Sequence, residues 1–451
     1  MAAGFLAMVV RFRTQPGQDS ERASLLSNEQ RIHVLAEVLE QAPRFSYRVP
    51  DSDIMAQGTR RLYYAGASMS SPLRILAVDV GTGTQDILFF ESGKTIENCF
   101  KMVMPSPTVI VAERIKRATE RGQPLLLTGV TMGGGPCHWA ARDHALAGYA
   151  VAVTAEAGRT FDDDMAMVEQ MGFEIIDDAE AARRAENPAL LHIELQDFNA
   201  QAIVTALRAF DVDPRVDALA IAAFDHGAAP PGYSDRRFRF DFIAKTVQRE
   251  PVPSAFAYLA QEIPASLTRL QAIAESTARY LLLSSSDPQG RLLLMDTGSA
   301  AALGALEDPL VRDQEDSLLC NIGNFHTLAF HLVRGRIEGI FEHHTGEITQ
   351  AQLEDMLVKL AEGTLTNEEV FTTSGHGALV LRQPELNGNA FPFLAVTGPR
   401  RELLRGSMLY PYEATPHGDM MLAGCFGLLR AMAEREPEMA PMIEPSLLKH
   451  I

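Results

Sequence analysis

The feature that most restricts the fold of this chain is a β-rich block that occurs twice. Residues 75–104 read as short apolar β-runs joined by tight turns, the first run ending in Asp79-Val80-Gly81-Thr82-Gly83-Thr84 and a later turn carried by Ser92-Gly93-Lys94. The same order returns downstream. A strand at 317–322 leads into the turn Gly323-Asn324, a strand at 327–333, the turn Arg334-Gly335-Arg336 and a strand at 337–341. A repeated meander of this kind predicts two related α/β domains facing one cleft.

Between the blocks, strands alternate with helices. Helices are expected at 109–121, 137–147, 162–171 and 199–210, and strands at 124–128, 149–154 and 218–224, an alternation that implies parallel pairing. The stretch 228–253, rich in Pro, Gly, Arg and Asp, reads as an irregular excursion; a helix at 266–280, a strand at 291–295 and a helix at 297–306 precede the second block. The expected domains are therefore 69–315, with insertions, and 316–451. Residues 1–68 read as an appendage, with scattered arginines and one amphipathic segment at 28–41. Met69-Ser70-Ser71-Pro72 leads straight into a strand as a chain start does, so the appendage is either an over-extended gene start or a helical extension of the core.

A length of 451 residues, 46% of them hydrophobic, suffices for two or three domains. A net charge of -18 opposes a nucleic-acid or anionic-membrane partner, because no broad basic surface is available to neutralise phosphates. No apolar run reaches the roughly eighteen residues of a membrane span. The apolar start Met1 to Val10 is followed, not preceded, by Arg11 and Arg13, the wrong order for a secretion signal. Cys99, Cys137, Cys320 and Cys425 lie far apart, giving neither a zinc knuckle nor a disulfide framework, and a reducing cytoplasm is the expected location.

Chemistry concentrates at the strand ends. Asp79 closes an apolar strand; the glycines behind it let backbone amides approach a phosphate, Thr82 and Thr84 offer hydroxyls, and the carboxylate suits Mg2+ held through water. No Gly-Lys-Ser/Thr ending follows, which excludes a Walker loop, and the turn opens a hairpin rather than the helix of a dinucleotide fingerprint. Met295-Asp296-Thr297-Gly298-Ser299 sits at a strand-to-helix junction before an Ala-rich run. Asn321-Ile322-Gly323-Asn324-Phe325-His326 forms the second Gly turn, and Val396-Thr397-Gly398-Pro399 a third element suited to a nucleoside.

In this order the four segments resemble the actin, sugar-kinase and Hsp70 ATPase superfamily over about residues 74–430. The resemblance implies a two-domain actin-like ATPase (ribonuclease H-like) fold with a central cleft, and ATP with Mg2+ as the ligand. It implies Asp79 as the metal residue and Asp296 as general base. Gly81, Thr82, Gly83, Thr84, Gly323 and Asn324 would serve the phosphates, and Thr397 and Gly398 the nucleoside. Two departures stand out: Asn321 replaces a common acidic residue, and Thr397-Gly398-Pro399 lacks the usual paired glycines. More closely, Asn321 to His326 with Phe341-Glu342-His343-His344-Thr345-Gly346 resembles a prokaryotic family labelled "putative pyruvate formate-lyase activating enzyme". The label names radical chemistry on an iron-sulfur cluster, which needs three closely spaced cysteines that this chain lacks.

Further clusters invite a role. On a strand, Glu342 and His344 share a face while His343 points away, so a metal or phosphate contact competes with a hydrogen-bonded turn. His344 and Asp225, in Asp225-His226-Gly227 at another strand end, join Asp296 as catalytic candidates. Arg236, Arg237 and Arg239 either bind an anionic substrate or lie solvated. The turn Gly129 to Pro136 offers amides to an anion at a helix start, with Cys137-His138 as a candidate low-pKa thiol pair. The expected activity is Mg-ATP-dependent phosphotransfer to a small-molecule substrate, or ATP hydrolysis. The alternatives are a nucleotide-dependent switch serving a protein partner and a glycine-loop binding protein without nucleotide.

Overall fold

The computed structural model describes residues 71–284, 291–381 and 391–448, so the appendage expected at 1–68 lies outside the described residues. The first block forms the antiparallel meander β1 (Arg74–Val80), β2 (Thr84–Glu91) and β3 (Phe100–Pro105). β1 is apolar on both faces: Ile75 and Ala77 enter one core cluster, Leu76 and Val78 another. That is the pattern of a strand covered on both sides, and it leaves Asp79 as the polar end of the strand.

An inserted subdomain follows, with β4 (Leu125–Gly129), helix α1 (Pro136–Leu146), β5 (Val151–Thr154), β6 (Phe173–Ile176) and β7 (Leu191–Leu195). Its four strands are all parallel, as the alternation predicts, in the order β6-β5-β4-β7. The chain then returns through β8 (Ala218–Ala223), helix α2 (Asp235–Arg249), β9 (Ala257–Leu259) and β10 (Leu292–Asp296), which complete a sheet ordered β3-β2-β1-β8-β10-β9.

Helix α2 corrects the reading of 228–253 as irregular. Its Phe240, Ile243 and Val247 have helical spacing and are buried against Leu319 and Phe330. Arg236, Arg237, Arg239 and Arg249, with Asp241 and Lys245, mask the stripe in the sequence.

After helix α3 (Thr297–Ala305), the second block gives β11 (Asp316–Ile322), β12 (His326–Val333), β13 (Arg336–His344), β14 (Gly377–Val380), β15 (Phe393–Thr397) and β16 (Tyr412–Glu413), in the sheet order β14-β13-β12-β11-β15-β16. In both sheets a meander begins on a central strand whose other neighbour runs parallel: β1 beside β8, β11 beside β15. This shared order makes the molecule a two-domain actin-like, ribonuclease H-like fold. The duplication extends to the turns, since Gly81 N donates to Thr84 O and Gly323 N to His326 O, both at 2.9 Å.

Helix α4 (Ala423–Arg435), grouped with the second half on sequence, packs on the first sheet through Cys425, Phe426 and Leu429. It crosses α3 at backbone contact: a Cβ on Gly427 would sit 1.9 Å from the Ala300 carbonyl oxygen. Among the described residues, no helix is long and apolar enough to cross a membrane.

Candidate functional site

The two Gly turns face each other across a cleft of about 350 Å3. They touch at its base, where a Cβ on Gly83 would meet Asn324 Nδ2 at 2.6 Å. Gly81, Thr82 and Thr84 line one wall and Gly323 and Asn324 the other. Thr397 and Gly398 close a third side. Gly398 has φ of +98°, and a Cβ there would come within 2.4 Å of Ile322 O, so only glycine lets this loop lie against the β11 turn. The turn at 129–136 belongs to the same cleft, lined by Gly133, Gly134 and Gly135. An ion pair braces it: Arg269 Nε donates to Asp197 Oδ2 at 2.7 Å, and Asp197 Oδ1 accepts from Gly133 N at 3.1 Å.

Asp79 lines the cleft, and sequence reasoning missed its partner. In the β1/β2 register Asp79 stands directly opposite Asp86, which also lines the cleft. Thr297 Oγ1 donates to Asp79 Oδ1 at 2.6 Å. Asp86 Oδ1 is buried without a hydrogen-bond partner among the described residues. Burial pushes the Asp79 carboxyl up to about 7, against the Thr297 hydrogen bond and with Asp296 adding to the rise. Burial, then the charge of Asp79, pushes Asp86 up to about 8. An acidic residue inside the apolar run of β2 was the available signal, because such a group is costly to bury unless it is paired or binds something.

The catalytic candidates fare differently. Asp296 does not line the cleft. Its Oδ1 accepts from Gly298 N at 3.0 Å and Ser299 N at 3.2 Å, capping α3, and its Oδ2 accepts from Arg239 Nη2 at 2.9 Å. Both oxygens are thus held in place by hydrogen bonds. Asp225 lines the cleft, yet its oxygens accept from Gly227 N at 2.8 Å and Leu270 N at 2.9 Å, so it shapes the strand end.

Arg239 is no solvated residue. It is buried, donates through Nε and Nη2 to both Glu342 oxygens at 2.7 and 2.6 Å, and lies 3.8 Å over the Phe224 ring. Arg236 and Arg237 stack on Phe371. Glu342 and His344 do share a strand face: Glu342 meets Arg239, while the His344 ring lies 4.6 Å from that of His376 and 4.9 Å from that of His326. His343, on the other face, is held between His344 O and Thr373 Oγ1 at 2.9 and 3.3 Å.

With this geometry in place, the chain can be compared with known proteins. The sequence profile of a family described as "Putative pyruvate format-lyase activating enzyme (DUF1786)" matches residues 132–403, more than half of the chain. The chain belongs to that family. No curated protein matches it. Among solved structures, it is similar to the ROK hexokinase of Thermus thermophilus at 12% identity and TM-score 0.27, covering 81% of this chain and 100% of that one. It is similar to the Ppx/GppA family member of Aquifex aeolicus at 8% identity and TM-score 0.26, covering 80% and 90%. A ROK family transcriptional regulator, a homolog of the E. coli MLC protein, matches at 11% identity and TM-score 0.22 over 59% of this chain; the chain spans 38% of that regulator's length.

The reading of Cys137-His138 as a reactive pair is corrected for this family member. The Cys137 thiol is fully buried and donates to Gly133 O at 3.4 Å, and burial pushes its pKa up to about 11. All four cysteines are buried and free. Native protein is expected to resist iodoacetamide at pH 8 and to label at all four cysteines once unfolded, read by intact mass; rapid native labelling of Cys137 would contradict this burial.

Proposed function

We propose that the chain binds ATP with Mg2+ in this cleft and uses it for phosphoryl transfer to a small-molecule acceptor or to water. The observation that carries the reading is the pair of identically closed Gly turns meeting at Gly83 and Asn324 beside the buried carboxylates Asp79 and Asp86. Amides of 81–84 and 323–324 and the hydroxyls of Thr82 and Thr84 would cradle the phosphates, with Thr397 and Gly398 at the nucleoside end. Asp79, with Asp86 opposite it, would hold the cation. The orphaned Asp86 oxygen and two carboxyls with raised pKa fit a divalent ion that keeps both ionised. Bound there, Mg2+ supplies charge neutralisation for the transferring phosphoryl group.

This chain's own residues do the positioning. Thr297 orients the Asp79 carboxylate, and Asp296 acts as a positioning group by capping the helix that carries Thr297. Arg159, exposed and lining the cleft, is a cation that could meet an anionic acceptor. The activity in the family's description needs a cluster on closely spaced thiolates. Cys99, Cys137, Cys320 and Cys425 are each buried in their own surroundings and do not support it.

Differential scanning fluorimetry with ATP, ADP and GTP, with Mg2+ or with EDTA, tests binding, and phosphate release tests turnover. The expected result is an Mg2+-dependent stabilisation by ATP that Asp79→Asn removes. No stabilisation by any nucleotide would overturn the reading, and stabilisation without phosphate release would leave the nucleotide-dependent switch.

A further inference from the structure

The topology brings three histidines together beside the second Gly turn, two of them lining the same cleft. His226 follows β8, His326 opens β12 and His376 precedes β14; their ring nitrogens all lie within 4.8 Å of one another. Among the described residues this is the one group of three or more histidine, cysteine or carboxylate side chains close enough to share an ion. His376 is held from below by its own backbone, whose N donates to Glu342 O at 2.9 Å, and His326 stacks on Phe224 at 3.9 Å.

The rings meet without satisfying each other. His326 Nε2 and both nitrogens of His376 are buried with no hydrogen-bond partner among the described residues. Native interiors seldom tolerate three such atoms in one place, and a bound ion is a standard explanation for them. A neutral imidazole keeps a lone pair on one ring nitrogen, and that lone pair is what a metal ion takes.

We infer that His226, His326 and His376 form a trihistidine site for a zinc-class divalent transition ion. An all-nitrogen ligand set selects zinc or its first-row neighbours over Mg2+, which demands oxygen. A tetrahedral ion with bonds of ~2.0–2.1 Å sets its nitrogens ~3.3 Å apart, which requires the rings to draw together by at most ~1.5 Å. Glu342 Oε2, 3.7 Å from His376 Nδ1, is the outer carboxylate that commonly fixes the tautomer of a metal-bound histidine. Arg239 nearby is ion-paired with Glu342 and Asp296. Three protein ligands leave a coordination position, and since His226 and His326 line the cleft it faces the space where an acceptor would lie. His344, beside His326 and His376, stands outside the ligand set.

The test uses tag-free, full-length protein stripped with chelator and measured without nucleotide, so that failure of the nucleotide reading and failure of this one are distinguishable. Zn2+ titrated against a chromogenic indicator is expected to bind at about one equivalent, and Co2+ to give the intense visible bands of a four-coordinate site. His226 is exposed, so His226→Ala keeps the fold by circular dichroism and is expected to weaken Zn2+ by more than ~100-fold, beyond the loss from an outer-shell partner. His376→Ala is expected to do the same, while His344→Ala keeps one equivalent. Wild-type protein that takes up no Zn2+ or Co2+, or a His226→Ala variant with unchanged affinity and cobalt spectrum, would overturn the inference.

Discussion

Replacing Arg239 with methionine is expected to lower the unfolding free energy by about 3–5 kcal/mol in urea titrations. The side chain is buried and donates to Glu342 on the second sheet, to Asp296 at the end of β10 in the first, and to the Asp225 carbonyl at 2.8 Å. Methionine fills similar volume but leaves two buried carboxylates without a counter-charge. The origin of the loss is checked by adding Glu342→Gln and Asp296→Asn, which is expected to recover more than half of it. A loss below about 1 kcal/mol for Arg239→Met would mean that water reaches these carboxylates and that the two halves are not tied here.

Arg239 also marks where sequence reading stops. The two Gly turns were legible because everything that defines them is local: an apolar strand, glycines at the turn and a return strand in register. The parallel inserted strands were legible for the same reason. Arg239, by contrast, looks like one of several arginines in a polar stretch, and its partners lie 57 and 103 residues away. The histidine cluster is assembled from three separated segments, of which His226 and His326 sat in turns already singled out, while His376, in Ser374-Gly375-His376-Gly377, offered no pattern. Asp296 was legible only in part: an aspartate at a strand-to-helix junction reads equally as base or as helix cap, and the sequence does not show that it caps its helix and pairs with Arg239. Glu342 and His344 did follow from strand periodicity, because alternation is a property of the backbone alone.

Asp86→Asn is expected to stabilise the metal-free protein, and increasingly so as the pH rises. Burial and Asp79 push the Asp86 carboxyl from an ordinary 3.8 up to about 8 in the folded state. The folded protein therefore holds a proton that the unfolded chain releases above about pH 4, and wild-type stability falls as pH climbs through that window. Asparagine removes the proton linkage. The variant's advantage should grow from near zero at pH 4 to about 3 kcal/mol at pH 9 in EDTA, roughly half of what the full displacement would give at ~1.4 kcal/mol per pH unit, since Asp79 titrates with it. Denaturant midpoints across pH read this directly, and an advantage that is flat with pH would mean Asp86 is ionised in the fold at all times. Mg2+ then separates a stored strain from a binding site. A cation between Asp79 and Asp86 offsets their repulsion, so added Mg2+ should erase the alkaline loss in wild type and do little for the variant, reversing which protein is the more stable at pH 9.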